Sequence, residues 1–210
     1  MDERIEDAWP NVPRLCFGPG EPSHLNASVD WIGGLDAGGA HLYVYGYRRA
    51  AEALFKHVVQ CERMSPDYIV FPFAFLWRHH LELALKSVIA SGRELEGEDP
   101  TYPASHVLRD LWCTAKSFVV EYGDPNSPEV ANVEANIEEF ERIDPAADGF
   151  RYSKEKKGTS HALKNLPGAI NLAVLHEGMM ALSNFLDAVH ECQRQALDAA
   201  MEIQAWHEHG

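Results

Sequence analysis

Four ionisable side chains stand close together within an otherwise apolar stretch, residues 69–90: Arg78, His79, Glu82 and Lys86. If this stretch is a helix, a rotation of about 100° per residue places all four within an arc of about 100°. We call this group the polar stripe. A histidine there can transfer a proton near neutral pH, and an arginine can hold a phosphate. The polar stripe is therefore a candidate catalytic or binding site.

The same spacing also permits a structural interpretation. Arg78 and Glu82 are four residues apart, as are Glu82 and Lys86. On a solvated helix face such pairs stabilise the helix by about 0.2–0.5 kcal/mol each. A helix that is apolar on nearly all sides is usually central in its bundle, where charges need partners or a cleft. The sequence is compatible with two environments for the polar stripe. One is a solvated helix face, and the other is a polar groove or a subunit interface.

A basic patch follows in the polar segment 144–165. It begins with Phe150, Arg151 and Tyr152 and continues with three lysines, Lys154, Lys156 and Lys157. Loops of this length in a compact domain are usually functional or mobile. We interpret the segment as a flap over the polar stripe, with Arg151 reaching an anionic ligand. An exposed loop with ordinary lysines is the alternative.

Charge and composition exclude several classes of function. The 210-residue chain carries a formal net charge of −14, from 18 Lys and Arg against 32 Asp and Glu. Such a surface repels phosphate backbones, which disfavours non-specific DNA binding but still allows a small basic cleft that grips RNA. The acidic N-terminus and the widely spaced cysteines predict a cytoplasmic protein, and no apolar run is long enough for a membrane span.

The hydrophobic periodicity predicts an all-α protein, an antiparallel bundle of about five helices over residues 40–206. An irregular, Gly- and Pro-rich N-terminal arm, residues 1–39, precedes it. We predict helices over His41–Cys61, from Pro66 to a C-cap at Ser91-Gly92, over His106–Tyr122 with Ser105 as cap, over Glu129–Ile143 and over Pro167–Gln204.

The sequence predicts neither a metal nor a cofactor. Eleven histidines invite a metal hypothesis, but HExxH and Cys/His zinc spacings are absent. The glycine patterns GxGxxG and GxxxxGK[ST] are absent as well, which argues against a nucleotide-binding fold of either kind.

Three strings carry a family resemblance: FPFAFLWRHHLELALKSVI, SHVLRDLW and FRYSKEKKG. Together with the core Arg78-His79-His80-Leu81-Glu82-Leu83, they resemble the HEPN-like helical proteins of bacteria over residues 40–190. The resemblance implies a helical bundle, commonly dimeric, often a metal-independent ribonuclease, and often tied to defence or toxin–antitoxin systems.

The chain departs from the HEPN nuclease motif, an Arg followed after four to six residues by His near the end of the last long helix. Here that region reads NFLDAVHECQRQALDAA, in which His190 precedes Arg194. If the protein cleaves RNA, it must therefore use a different set of residues.

For that set we propose roles from the chemistry of RNA cleavage through the 2′-hydroxyl, which needs a base, an acid and a cation. His79 and His106 are the candidate base and acid. Arg78 and Arg151 are candidates to hold the phosphate. Glu82 is a candidate to orient Arg78 or His79. Two further residues, Tyr152 and Lys86, are candidate ligand contacts.

Three functions remain open after this reasoning. The first is a HEPN-like protein that acts on RNA or in defence. This protein would be a homodimer, and the sequence does not decide whether it is an enzyme. The second is a non-catalytic protein-interaction module of the same fold, which the missing Arg-to-His motif favours. The third is a bundle that binds a small molecule or nucleotide.

Overall fold

The computed structural model describes residues 27, 38–61, 65–122, 124–154, 163 and 165–209. The chain forms two compact units, Met1–Asp36 and Ala37–Gly210. Apart from residue 27, the first unit, and with it nearly all of the predicted N-terminal arm, lies outside the described residues.

Five helices account for most of the described chain: α1 (Gly38–Gln60), α2 (Pro66–Leu95), α3 (Leu108–Val120), α4 (Pro128–Ile143) and α5 (Leu172–His209). Strands are absent from the described ranges. The predicted all-α bundle of about five helices is thus confirmed. A membrane-crossing helix is also absent there, since each of the five is too short or too polar for one.

Helix α2 lies at the centre of the bundle and packs against α1, α3 and α5. It begins where Ser65 caps it, with Ser65 Oγ accepting from the Asp67 N–H, and Pro66 takes the first position. Its fully buried side chains include Phe73, Trp77, Leu81, Leu85, Val88 and Ile89. Burial of each such side chain contributes about 1.5–3 kcal/mol, which makes α2 the main source of core stability.

The C-terminal end of α2 differs from the prediction. The helix continues through Ser91 and Gly92 to Leu95, so the predicted C-cap at Ser91-Gly92 is wrong. Gly92 serves packing instead, because a Cβ atom at this position would overlap the Phe118 ring of α3. The glycine lets α2 and α3 approach each other closely.

We expect Gly92→Ala to lower the free energy of unfolding by about 2 kcal/mol, because the new methyl group overpacks against Phe118. Gly46→Ala is the matched control. Gly46 lies in α1, and a methyl group added there would have no other atom within 4 Å, so alanine should stabilise the protein by about 0.5–1 kcal/mol through its helix propensity. Urea unfolding measures both values. A stabilised Gly92→Ala variant would contradict the packing role.

Helix α3 also begins later than predicted, at Leu108 rather than His106. Ser105 Oγ accepts from the Val107 N–H, outside the helix. The first helical N–H, that of Leu108, donates to Glu141 Oε1 of α4 at 2.7 Å. A carboxylate from another helix therefore stabilises the N-terminus of α3, which no local sequence pattern could indicate.

Helix α5 begins at Leu172 rather than Pro167, because Asn171 caps it. Asn171 Oδ1 accepts from the N–H groups of Ala173 and Val174 at 2.9 and 3.2 Å. The helix also extends to His209, past the predicted end at Gln204.

Candidate functional site

The guanidinium of Arg78 is buried among three carboxylates. Nη1 lies 3.8 Å from Glu82 Oε2, Nη2 lies 3.5 Å from Glu141 Oε1, and Nε lies 3.4 Å from Asp144 Oδ2. Nη2 also donates to the backbone oxygen of His106 at 3.1 Å. The Nε–Oδ2 contact is an ion pair without hydrogen-bond alignment. Arg78 thereby connects α2, α4 and the segment that leads into α3.

Burial lowers the pKa of Arg78, while the charges of Asp144, Glu141 and Glu82 act in the opposite direction. The guanidinium stays protonated at neutral pH, since arginine titrates far above it. Only 3% of the Arg78 side chain is exposed, so its donors face protein groups rather than solvent. This arrangement favours a structural role for Arg78 over direct contact with a phosphate.

Glu82 is the carboxylate that joins the other candidates. Its Oε1 accepts from Lys86 Nζ at 2.7 Å and from His106 Nδ1 at 2.9 Å. His79 Nδ1 lies 3.8 Å from Oε2, too far for a hydrogen bond but close enough for electrostatic attraction. Burial alone would raise the pKa of Glu82, but its contacts with His79, Lys86 and His106 outweigh burial and lower the pKa to about 2.

The side chains that contact Glu82 differ greatly in exposure. The His106 side chain is 72% exposed, against 28% for His79 and 11% for Lys86. Lys86 is further covered by the ring of Tyr102, 5.4 Å from Nζ. Because an ionised carboxylate only accepts hydrogen bonds, His106 Nδ1 carries the proton in this contact. In the neutral ring, Nε2 then remains an unprotonated acceptor.

The loop that carries Arg151, residues 144–154, contacts the polar stripe through the ring of Phe75. We call it the Arg151 loop. The Arg151 guanidinium contacts the rings of Phe75 and Tyr152, with Cζ 5.7 and 5.6 Å from their centroids. The Phe75 ring is in turn stacked on His79, with centroids 5.7 Å apart and ring planes 7° apart. The distal lysines of the patch, Lys156 and Lys157, lie outside the described residues.

The structure therefore brings Arg78, His79, Glu82, Lys86 and His106 into one cluster, and places Arg151 and Tyr152 beside it. Sequence reasoning missed Glu141, Asp144 and Phe75. Glu141 and Asp144 lie in a region rich in acidic residues, and Phe75 lies among other aromatic residues. No motif or spacing therefore distinguished them from their neighbours in the sequence. In the part of the chain that the structure describes, no three His, Cys, Asp or Glu side chains converge as metal ligands would.

A separate polar cluster lies on another side of α2, around His80. Its ring is buried, with Nδ1 3.0 Å from the Val44 backbone oxygen and Nε2 2.8 Å from Ser183 Oγ. Arg48 donates to the same hydroxyl at 2.8 Å. Burial lowers the pKa of His80, which favours the neutral ring. This cluster connects α1, α2 and α5.

We expect Arg78→Ala to lower the free energy of unfolding by about 3–5 kcal/mol, because it leaves buried carboxylates without a cation. Arg49→Ala is the control. Arg49 is 61% exposed and pairs with Glu52, so its loss should cost under about 1 kcal/mol. Denaturant unfolding monitored by circular dichroism measures both. Equal, small losses would contradict the structural role of Arg78.

Comparisons with known proteins identify no relative. The chain matches no protein-family model, and neither a curated protein nor a solved structure is significantly similar to it.

Proposed function

We propose that this protein is a HEPN-like helical protein that cleaves RNA without a metal, with His106 as the residue that transfers a proton. The observation that carries the proposal is the contact between His106 and Glu82. An exposed imidazole is oriented by a buried carboxylate whose pKa is about 2, so the carboxylate is ionised at every physiological pH. This arrangement fixes the tautomer and the orientation of the ring.

The chemistry requires three groups around the scissile phosphate. One histidine, in the proposal His106, takes the proton of the 2′-hydroxyl, whose oxygen then attacks the phosphorus. His79 donates a proton to the departing 5′-oxygen, which leaves a 2′,3′-cyclic phosphate and a new 5′-hydroxyl end. Arg151 is the exposed cation for the phosphate, since Arg78 is held by carboxylates. Arg78 and Glu82 act as positioning residues.

We expect His106→Gln to lower the rate of RNA cleavage at least about 100-fold, the usual contribution of a general acid or base. The melting temperature should change little, because the ring is largely exposed. The assay uses purified full-length protein, a labelled single-stranded RNA and EDTA. His57→Gln, an exposed histidine on α1, is the control and should cleave normally. Equal cleavage by His106→Gln and the wild-type protein would refute the role of His106.

A second candidate function is a non-catalytic protein-interaction module of the same fold. The observation that favours it is the saturation of Arg78 by Glu82, Glu141 and Asp144, which leaves the most buried cation of the stripe with a structural role. In that case the contact of His106 with Glu82 would only extend the structural network. Wild-type protein would then leave RNA intact in the same assay at every protein concentration.

We also propose a homodimer, in line with the family resemblance. Large apolar side chains remain exposed near the end of α5, where Ile203 and Trp206 are 60% and 75% exposed. With Ala199 they follow the four- and three-residue steps of a helix–helix seam. A cytoplasmic role in bacterial defence or toxin–antitoxin regulation is proposed on the resemblance alone.

We expect sedimentation velocity at micromolar concentration to detect a dimer, and Ile203→Glu to shift it toward monomer by placing a charge in the seam. Glu202→Lys is the control on the neighbouring position, where a charge is already present. A monomer across the whole concentration range would contradict the dimer.

A further inference from the structure

Arg151 is held in place by protein groups that leave part of its guanidinium available. Its Cζ lies 5.7 and 5.6 Å from the ring centroids of Phe75 and Tyr152, and Nη2 donates to the backbone oxygen of Ala147 at 2.9 Å. Arginine has five N–H donors, and among the described residues this is the one hydrogen bond that the Arg151 side chain makes. Contacts that hold a side chain near its bound position reduce the entropy lost when it binds an anion.

The local charge favours an anionic ligand. Within the described ranges, no carboxylate lies at ion-pair distance from Arg151, in contrast to Arg78 with its three. Lys154, three residues further along, is exposed and likewise without an ion pair among the described residues. A chain of net charge −14 therefore presents a small cationic surface at this loop.

A cavity of about 460 Å³ opens beside this guanidinium. Its walls include the Phe71 ring of α2, Phe150 and Leu166, with Arg151 and Tyr152 at one side. This volume falls within the roughly 300–1,000 Å³ of small-molecule sites, which are mostly apolar with a few polar groups. Tyr152 is 61% exposed and Phe71 is 42% exposed, so flat apolar faces are accessible to a planar ligand.

From these observations we infer that the Arg151 loop and its cavity bind one unpaired nucleotide. The base lies against Tyr152 and Phe71, and the phosphate is bound by Arg151. An inorganic anion would not use the rings, and an apolar ligand would not use the guanidinium. Paired bases do not expose their faces, so an RNA ligand must be single-stranded here. The inference rests on the proposed action on RNA and defines which RNA the site accepts.

A chain of side-chain contacts joins this nucleotide site to the polar stripe. Side-chain contacts run from Arg151 to Phe75, then to His79 and Glu82, and end at the exposed His106. A strand whose base lies against Tyr152 would thus present the phosphate bound by Arg151 to the histidines. The nucleotide site is accordingly a substrate-positioning site rather than part of the acid–base chemistry.

The test measures binding separately from cleavage. A fluorescein-labelled, 2′-O-methyl single strand of about ten nucleotides, which cannot be cleaved through its 2′-oxygen, is titrated with the full chain and followed by anisotropy. Competitors are AMP, inorganic phosphate and the same sequence as a duplex. We expect AMP to displace the strand, whereas phosphate at equal concentration does not and the duplex binds at least tenfold more weakly.

The variants separate stacking from charge. Tyr152→Ala and Arg151→Ala should each raise the Kd at least about fivefold, the effect of losing one base–aromatic stack or more. Tyr152→Phe keeps the ring and should stay within about twofold of the wild-type protein. Tyr43→Ala, an exposed tyrosine of α1 that does not line the cavity, is the control and should leave the Kd unchanged.

Several outcomes overturn the inference: no binding of AMP or single strand by the wild-type protein, equal binding of duplex, displacement by phosphate as efficient as by AMP, or normal binding by Tyr152→Ala. The proposed RNA cleavage fails by a different result. If the single strand binds as described but cleavable RNA remains intact, the nucleotide site stands and the catalytic role of His106 does not. If the Tyr152→Ala variant binds and cleaves RNA as well as the wild-type protein does, RNA cleavage stands and the nucleotide site does not.

Discussion

The arrangement around α2 depends on the burial of one positive charge, that of Arg78. A lone guanidinium inside a bundle would cost many kcal/mol, so three carboxylates and a backbone oxygen must surround it. These partners come from α2 itself, from the end of α4 and from the segment before α3. The ion network therefore helps to position α3 and α4 relative to α2, together with apolar packing.

Each carboxylate of this network also accepts a hydrogen bond from a group other than Arg78. Glu141 caps α3 through the Leu108 N–H, and Asp144 accepts from the Gly149 N–H at 2.9 Å, within the turn that leads to Arg151. Glu82 holds His106 and Lys86. The groups that neutralise a buried charge thus also position the exposed histidine and the basic loop. Stability and the candidate chemistry share the same side chains, and a change in one affects the other.

Arg78 and Arg151 illustrate how environment assigns different roles to identical side chains. The guanidinium of Arg78 is surrounded by acids and closed to solvent, whereas Arg151 is exposed and contacts two aromatic rings, without a carboxylate partner among the described residues. On the basis of residue type alone, both are equal candidates for phosphate binding. Burial and partners, rather than chemical type, distinguish a structural cation from one that is able to bind a ligand.

The local sequence pattern was sufficient to predict the number of helices, their approximate positions and the members of the polar stripe. The apolar periodicity specifies five helices, and the spacing of Arg78, Glu82 and Lys86 specifies one face of α2, because neighbours on a helix are set by 3.6 residues per turn. Only the tertiary structure decided that α2 continues through Gly92, that Glu141 and Asp144 neutralise Arg78, and that Phe75 connects Arg151 to His79. Those contacts join residues far apart in the chain, and their geometry follows from how whole helices pack.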